Sequence, residues 1–153
     1  MIITIDTNIL RNAFERGEPD HLHITTLIGR SGRVLGFDGD QKILDEYKRN
    51  VGRHPFYQKW YQFLVQQQAI HYQFKYDVSN KDQAQLGRFQ CHEPSDLVFI
   101  GVAFHSGKIL ISEDSDVGKG PKGHEPPHCD ALAYLTAKMG LRIWDAQEAC
   151  EHL

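Results

Sequence analysis

The sequence predicts an α/β protein built on a parallel β-sheet. Short apolar runs alternate with amphipathic stretches along the chain, which is the pattern of consecutive βα units. The apolar runs show little polar alternation, as expected for strands covered on both faces. At 153 residues, with 41% hydrophobic and 24% charged residues, the chain fits one domain with a substantial core. We therefore expect a single domain, 1–153, with five βα-like units in a doubly wound sheet.

The first half of the chain contains two predicted strand–helix units followed by a third helix. The predicted elements are, in order, a strand at 2–5, a helix from Asn8 to about Glu15, a strand at 33–37 and a helix from about Asp40 to Val51. After Pro55, apolar residues at helical spacing predict a helix with a core-facing stripe of Phe56, Trp60, Phe63 and Leu64.

The second half of the chain predicts three more strands. The predicted elements are a strand at 71–76, a helix from near Ser95 to Gly107, a strand at 108–112, a helix at 129–140, a strand at 141–144 and a closing helix at 145–153. The segment 117–128 is rich in glycine and proline, which predicts a loop.

Charge and cysteine content narrow the class of protein. The net charge of −3 argues against a general nucleic-acid coat protein. No apolar run approaches the roughly 20 residues that cross a bilayer, and the N-terminus has no basic leader. Cys91, Cys129 and Cys150 form an odd set without a CxxC pair, which favours a reducing compartment. We therefore expect a cytoplasmic protein without membrane association.

Acidic residues follow two of the predicted strands. Asp6 comes after "IITI", and Glu113, Asp114 and Asp116 come after "KILIS". Ligands bind open parallel sheets outside the carboxyl ends of the strands, where the strand order reverses. Each acid has a structural alternative, because Asp residues also cap helices. We expect Glu113 to be a solvated neighbour of Asp114.

Two further acids lie on predicted helices near these strand ends. Asp96 opens the helix before the "KILIS" strand, and Glu46 lies in the helix after "RVLGF". Helix capping can explain each acid singly, but it does not explain acids at two strand ends together with acids on two neighbouring helices. The pattern therefore favours a shared site at one edge of the sheet.

Four segments together resemble the PIN-domain nucleases. They are "IDTNIL", the acid in the second predicted helix, "SDLVFIGVA" and "LISEDSD". That family has a D-x-N turn after its first strand, a helical Glu, an Asp opening a later helix, and T/S-x-D-x-D after its fourth strand. The resemblance covers nearly the whole chain and implies an α/β/α sandwich with strand order 3-2-1-4-5. Two departures are the absence of a Phe after the second Asp of "EDSDVG" and a longer loop at 117–128.

The resemblance also implies roles for individual residues. Asp6, Glu46, Asp96 and Asp114 would be catalytic; Asp6, Asp96, Asp114 and Asp116 would bind metal; Asn8 and Ser112 would support them. Glu46 is assigned by family position alone, and Asp45 and Glu93 remain alternatives. An oxygen-rich set of this kind suits Mg²⁺ or Mn²⁺.

The activity that the resemblance implies is metal-dependent hydrolysis of phosphodiesters. RNA is favoured over DNA as the substrate, and the chain would act as the toxin of a toxin–antitoxin pair or as a defence nuclease, with an antitoxin and a second copy as candidate partners. Candidate phosphate contacts are Arg49 and Arg53 on the Glu46 helix, and Lys119 and Lys122 on the loop. The alternative is a non-catalytic PIN-like module that binds RNA or protein. A zinc site in "HEPPHC" is disfavoured because no second ligand pair is visible.

Overall fold

A computed structural model describes the whole chain, residues 1–153, with five parallel strands in one sheet of order β3-β2-β1-β4-β5. The strands are β1 (Ile2–Ile5), β2 (Val34–Asp38), β3 (Ile70–Gln73), β4 (Ile109–Ile111) and β5 (Arg142–Trp144). Helices flank the sheet to give an α/β/α sandwich, so the predicted fold class and strand order are confirmed.

Eight α-helices connect and cover the strands. They are α1 (Thr7–Phe14), α2 (Pro19–Leu27), α3 (Lys42–Val51), α4 (Pro55–Gln66), α5 (Asn80–Arg88), α6 (Pro94–His105), α7 (His128–Ala133) and α8 (Ala146–His152). A 3₁₀ turn covers Ser115–Val117, and a π-helical turn at Tyr134–Lys138 continues α7. None of these helices is both long and apolar enough to cross a membrane.

The position of β1 determines where the site lies. β1 pairs with β2 on one side, through Ile2 and Val34, and with β4 on the other, through Thr4 and Leu110. The chain crosses to the other half of the sheet between these neighbours, so the carboxyl ends of β1 and β4 flank the point of reversal. The acidic turns after the two strands therefore lie side by side.

The sheet and the helices share one apolar core. The central strands β1 and β4 are buried on both faces, as Ile3, Ile5 and Leu110 show, which explains why their sequences lack polar alternation. Tyr47 of α3 is also fully buried, and its hydroxyl donates a hydrogen bond to the carbonyl of Ile5 at the end of β1. This contact holds α3 beside the carboxyl end of the central strand.

Several sequence-based predictions need correction. Helices α2 and α5 were not predicted, because their mixed polar sequences bury few residues; α5 buries only Leu86. The predicted core stripe on α4 is wrong at Phe56, which is 60% exposed, because the buried face of the helix is formed by Tyr57, Trp60 and Leu64. The predicted strand at 71–76 is shorter than expected and ends at Gln73.

Candidate metal centre

Three predicted metal ligands converge at the carboxyl edge of the sheet. Asp6 follows β1, Asp114 follows β4, and Asp96 lies in the first turn of α6. One carboxylate oxygen from each of these residues lies within 4.8 Å of the other two. No other group of three or more His, Cys, Asp or Glu side chains has this geometry, so His124, His128 and Cys129 form no such cluster.

Helix capping does not account for Asp6 or Asp96. Asp6 precedes α1, but its carboxylate makes no capping hydrogen bond. Glu93, not Asp96, is the residue that precedes α6. Asp114 does accept a hydrogen bond from the backbone N–H of Asp116, at 2.9 Å, within its own turn. The structural alternative therefore fits only Asp114 among the three.

Two neighbouring polar side chains hold the acids in place. The Ser112 hydroxyl donates to Asp6 Oδ2 at 2.7 Å and accepts from the backbone N–H of Asp114 at 3.1 Å. The Asn8 amide lies 3.4 Å from the same Asp6 oxygen, and its carbonyl accepts from the backbone N–H of Glu113 at 3.2 Å. Both residues predicted to support the site thus link the turn after β1 to the turn after β4.

The clustered carboxylates lack compensating positive charge. Burial, together with the charge of Asp114, raises the pKa of Asp6 to about 7, although the Ser112 hydrogen bond lowers it. Burial and the neighbouring charges of Asp114 and Asp6 raise the pKa of Asp96 to about 8. Each ionised carboxylate therefore makes ionisation of the others less favourable. A divalent cation would remove this penalty by adding positive charge among them.

Glu46 lies beside the three acids but outside their cluster. It accepts a hydrogen bond from the Thr7 hydroxyl at 2.8 Å, and its charge contributes to the raised pKa of Asp6. Asp45, its neighbour on α3, is exposed and lines a groove between α3 and α6. Glu93 is also exposed. Of these three candidates, Glu46 is the one that contacts the β1 turn.

Asp116 lies on the 3₁₀ turn that follows Asp114. Burial and the charge of Asp114 raise its pKa, while His128, whose Nδ1 lies 3.9 Å from Asp116 Oδ1, lowers it. Asp116 is not among the three acids whose oxygens meet within 4.8 Å. It lies at the margin of the cluster.

Glu113 is not the solvated neighbour that the sequence predicts. Its carboxylate hydrogen-bonds His21 Nε2 of α2 and accepts from the Asn12 amide at 3.3 Å and from the backbone N–H of Ala146 at 3.2 Å. These partners belong to α1, α2 and α8. Glu113 therefore fixes the turn that carries Asp114 against three helices. His21, which is 92 residues away in sequence, is the partner that sequence reasoning missed.

The four basic residues predicted to contact phosphates lie in different surroundings. Arg49 lines the groove between α3 and α6. Arg53 lies two residues after the end of α3, near Tyr57 and Tyr61, so it is not on the helix of Glu46 as predicted. The ammonium group of Lys119 forms a 2.7 Å ion pair with Glu148 of α8, which holds it away from solvent. Lys122 is exposed on the loop.

The groove next to the acids has a volume of about 380 Å³. Its polar walls include Lys42 and Arg49, with Asp45 and Glu46, all on α3, facing Ser95 of α6. Glu46 and Ser95 lie next to the acid cluster, because Glu46 contacts Thr7 and Ser95 precedes Asp96. The groove therefore leads to the cluster, and Lys42 is a cation on its wall that the sequence did not single out.

Comparisons of the chain with protein-family models, with curated proteins and with solved structures found no match.

Proposed function

We propose that this protein is a divalent-metal-dependent nuclease of the PIN type, with RNA as its favoured substrate. The observation that carries the proposal is the cluster of Asp6, Asp96 and Asp114 at the strand-order reversal. Asp6 and Asp96 are buried, Asp114 is partly buried, and none of the three forms a salt bridge, which is the condition that a bound cation relieves.

The donor set fits Mg²⁺ or Mn²⁺ because it consists of carboxylate oxygens alone. Asp6, Asp96 and Asp114 would hold the ion. Asp116 and Glu46, which lie beside these three acids, would orient water molecules next to the ion. Bound there, the ion supplies Lewis-acid stabilisation of a phosphodiester and activation of a water molecule.

The residues of the chain contribute orientation and binding. Ser112 fixes Asp6 through its hydroxyl, and Glu113 fixes the Asp114 turn against α1, α2 and α8. Lys42 and Arg49 on the groove wall would contact phosphates next to the bond to be broken. A role as a toxin or defence nuclease, an antitoxin partner and a homodimer follow from the resemblance to PIN domains alone.

The test compares wild type with Asp6→Asn and Asp114→Asn on labelled single-stranded RNA and DNA. Each protein is assayed with Mg²⁺, with Mn²⁺ and with chelator, and Glu151→Gln, which removes an exposed carboxylate near the end of α8, serves as the control. We expect metal-dependent cleavage that falls at least about a hundredfold in both site variants, beyond the range typical of supporting residues. Equal rates in wild type and both site variants would overturn the assignment, and binding without cleavage would favour the non-catalytic module.

A further inference from the structure

Phe74 is the most exposed large apolar side chain of the chain, at 79%. It directly follows β3, whose last residue, Gln73, pairs with Asp38 at the end of β2. Because all five strands are parallel, Phe74 lies at the same edge of the sheet as the acids. An aromatic ring left open to solvent at this edge is not explained by packing.

One side of the Phe74 ring packs against the backbone of Gly39, although the side chain is largely exposed. A Cβ atom added at Gly39 would lie 2.3 Å from the nearest carbon of the Phe74 ring, so the ring rests against Gly39. The backbone of Gly39 does not have a positive φ angle, so conformational freedom is not what glycine provides here. The missing side chain instead provides room for the ring, and the rest of the ring surface faces solvent.

The segment that carries Phe74 is also anchored to the helices beside the groove. The Tyr76 hydroxyl bonds to the carboxylate of Asp40, and the Lys42 ammonium lies 5.4 Å from the centre of the Tyr76 ring. The carbonyl of Tyr76 packs directly on Gly101 of α6, where a Cβ would lie only 1.8 Å away. Tyr76 therefore connects the Phe74 segment to Lys42, which is itself part of the groove wall.

These contacts place three features in succession: the Phe74 ring, the groove, whose wall carries Lys42 and Arg49 as well as Asp45 and Glu46, and the acid cluster. β3 and β1 are separated by one strand, so their ends lie about 10 Å apart at two interstrand spacings. That span corresponds to about three stacked nucleotides. Proteins that bind single strands combine aromatic rings that stack on bases with basic groups that contact the backbone.

We propose that Phe74 forms a subsite that stacks on an unpaired nucleobase of a single-stranded nucleic acid lying in the groove between α3 and α6. The subsite rests on the proposed nuclease function for the placement of the phosphodiester at the acids. It adds that the bound strand extends at least about three nucleotides from the acids towards β3. Lys42 and Arg49 contact the intervening phosphates.

The test measures binding of a labelled twelve-nucleotide single-stranded RNA by anisotropy, in an Asp6→Asn, Asp114→Asn background that separates binding from cleavage. We expect Phe74→Ala and Phe74→Leu to weaken binding at least about fivefold, and Phe74→Trp to preserve it. Gly39→Ala should weaken binding similarly, because the new methyl group displaces the ring. Duplex RNA and a dinucleotide should show no dependence on Phe74. Circular dichroism checks that each variant is folded.

Three outcomes would overturn the subsite. They are equal affinity of Phe74→Ala and its parent, full affinity in Phe74→Leu, and a concentration-dependent dimer in sedimentation that Phe74→Ala abolishes, since that would make the ring an interface between copies. Failure of the subsite is distinguishable from failure of the proposed function. Metal-dependent cleavage with unchanged binding in Phe74→Ala would remove only the subsite, whereas Phe74-dependent binding without any cleavage would remove only the nuclease activity.

Discussion

Asp38 and Asp6 end adjacent strands at the same edge of the sheet, yet they differ in how their charge is compensated. Asp38 is fully buried, and its carboxylate accepts backbone N–H hydrogen bonds from Asp40 at 3.1 Å, Lys42 at 2.9 Å and Ile43 at 2.8 Å. Asp6 is 9% exposed and faces other carboxylates, with a hydroxyl as its closest donor.

The difference shows that burial of an acid at a strand end does not by itself make a metal site. Backbone N–H groups in the N-terminal turn of α3 compensate the charge of the Asp38 carboxylate, so this residue needs no cation. Asp6 lies beside the carboxylates of Asp96 and Asp114. None of these three acids accepts hydrogen bonds from a set of backbone N–H groups like the set that surrounds Asp38. The difference therefore supports a structural role for Asp38 and the metal-binding role that we propose for Asp6.

The largest expected effect is stabilisation by metal. Mn²⁺ at a hundred times its dissociation constant should raise the free energy of unfolding by about 2.7 kcal/mol. For a domain of this size, this amounts to a rise in Tm of about 5–10 °C by differential scanning fluorimetry. The rise should fall by about half or more in Asp6→Asn, because we expect its affinity to be at least about tenfold weaker, and it should persist in Asp45→Asn. A rise of equal size in wild type and Asp6→Asn would mean that the ion binds elsewhere.

In the absence of metal, asparagine substitution should lower the stability of the protein at Asp38 and raise it at Asp6. Asp38→Asn replaces an acceptor oxygen by an NH₂ group that faces backbone donors, so we expect a loss of about 2 kcal/mol. Asp6→Asn removes a repelling charge and should raise the stability of the metal-free protein at pH 8. Urea denaturation of both variants measures these changes. A comparable loss in Asp6→Asn would show that Asp6 is a structural acid like Asp38.

Ser112→Ala should weaken metal binding without removing a ligand. The hydroxyl holds both Asp6 and the backbone of Asp114, and supporting groups of this kind typically change metal affinity by about tenfold or more. Calorimetric titration with Mn²⁺ measures the change. Ser112→Thr, which keeps the hydroxyl, is the matched control and should retain more of the affinity. Unchanged affinity in Ser112→Ala would restrict Ser112 to packing.

A further effect, measured without metal, should be a pH dependence of the stability. The pKa values of Asp6 and Asp96 rise to about 7 and about 8, so the folded state binds more protons than the unfolded state between about pH 4 and pH 8. Stability should therefore fall as pH rises through this window, by at most about 1.4 kcal/mol per pH unit for each carboxyl. Urea denaturation at pH 6 and pH 7 should show a smaller fall for Asp96→Asn. An identical fall in both proteins would contradict the raised pKa.

The strands were predictable from local sequence, and the acid cluster was predictable once the order of the strands was given. Apolar runs specify buried strands, and the acids that follow β1 and β4 must meet once those strands are neighbours. The order of the strands came from the resemblance to PIN domains, since apolar runs alone do not indicate which strands pair. The cluster of Asp6, Asp96 and Asp114 then follows from that order.

The unpredicted features depend on long-range contacts. The sequence predicts Glu113 to be a surface acid because its partner, His21 of α2, is far away in the chain. Lys119 is likewise paired with a distant residue, Glu148 of α8, at 2.7 Å. The apolar residues of α2 do not lie on one face of the helix, so the sequence pattern does not predict this helix. The Phe74 ring likewise packs against Gly39, 35 residues earlier, because β3 pairs with β2.

The most direct test of the account is a titration with Mn²⁺ followed by electron paramagnetic resonance at pH 8. The account predicts saturable binding in wild type and in Asp45→Asn, and affinity at least about tenfold weaker in Asp6→Asn, Asp96→Asn and Asp114→Asn. Equal affinity across wild type and these three site variants would contradict a metal centre at the carboxyl ends of β1 and β4.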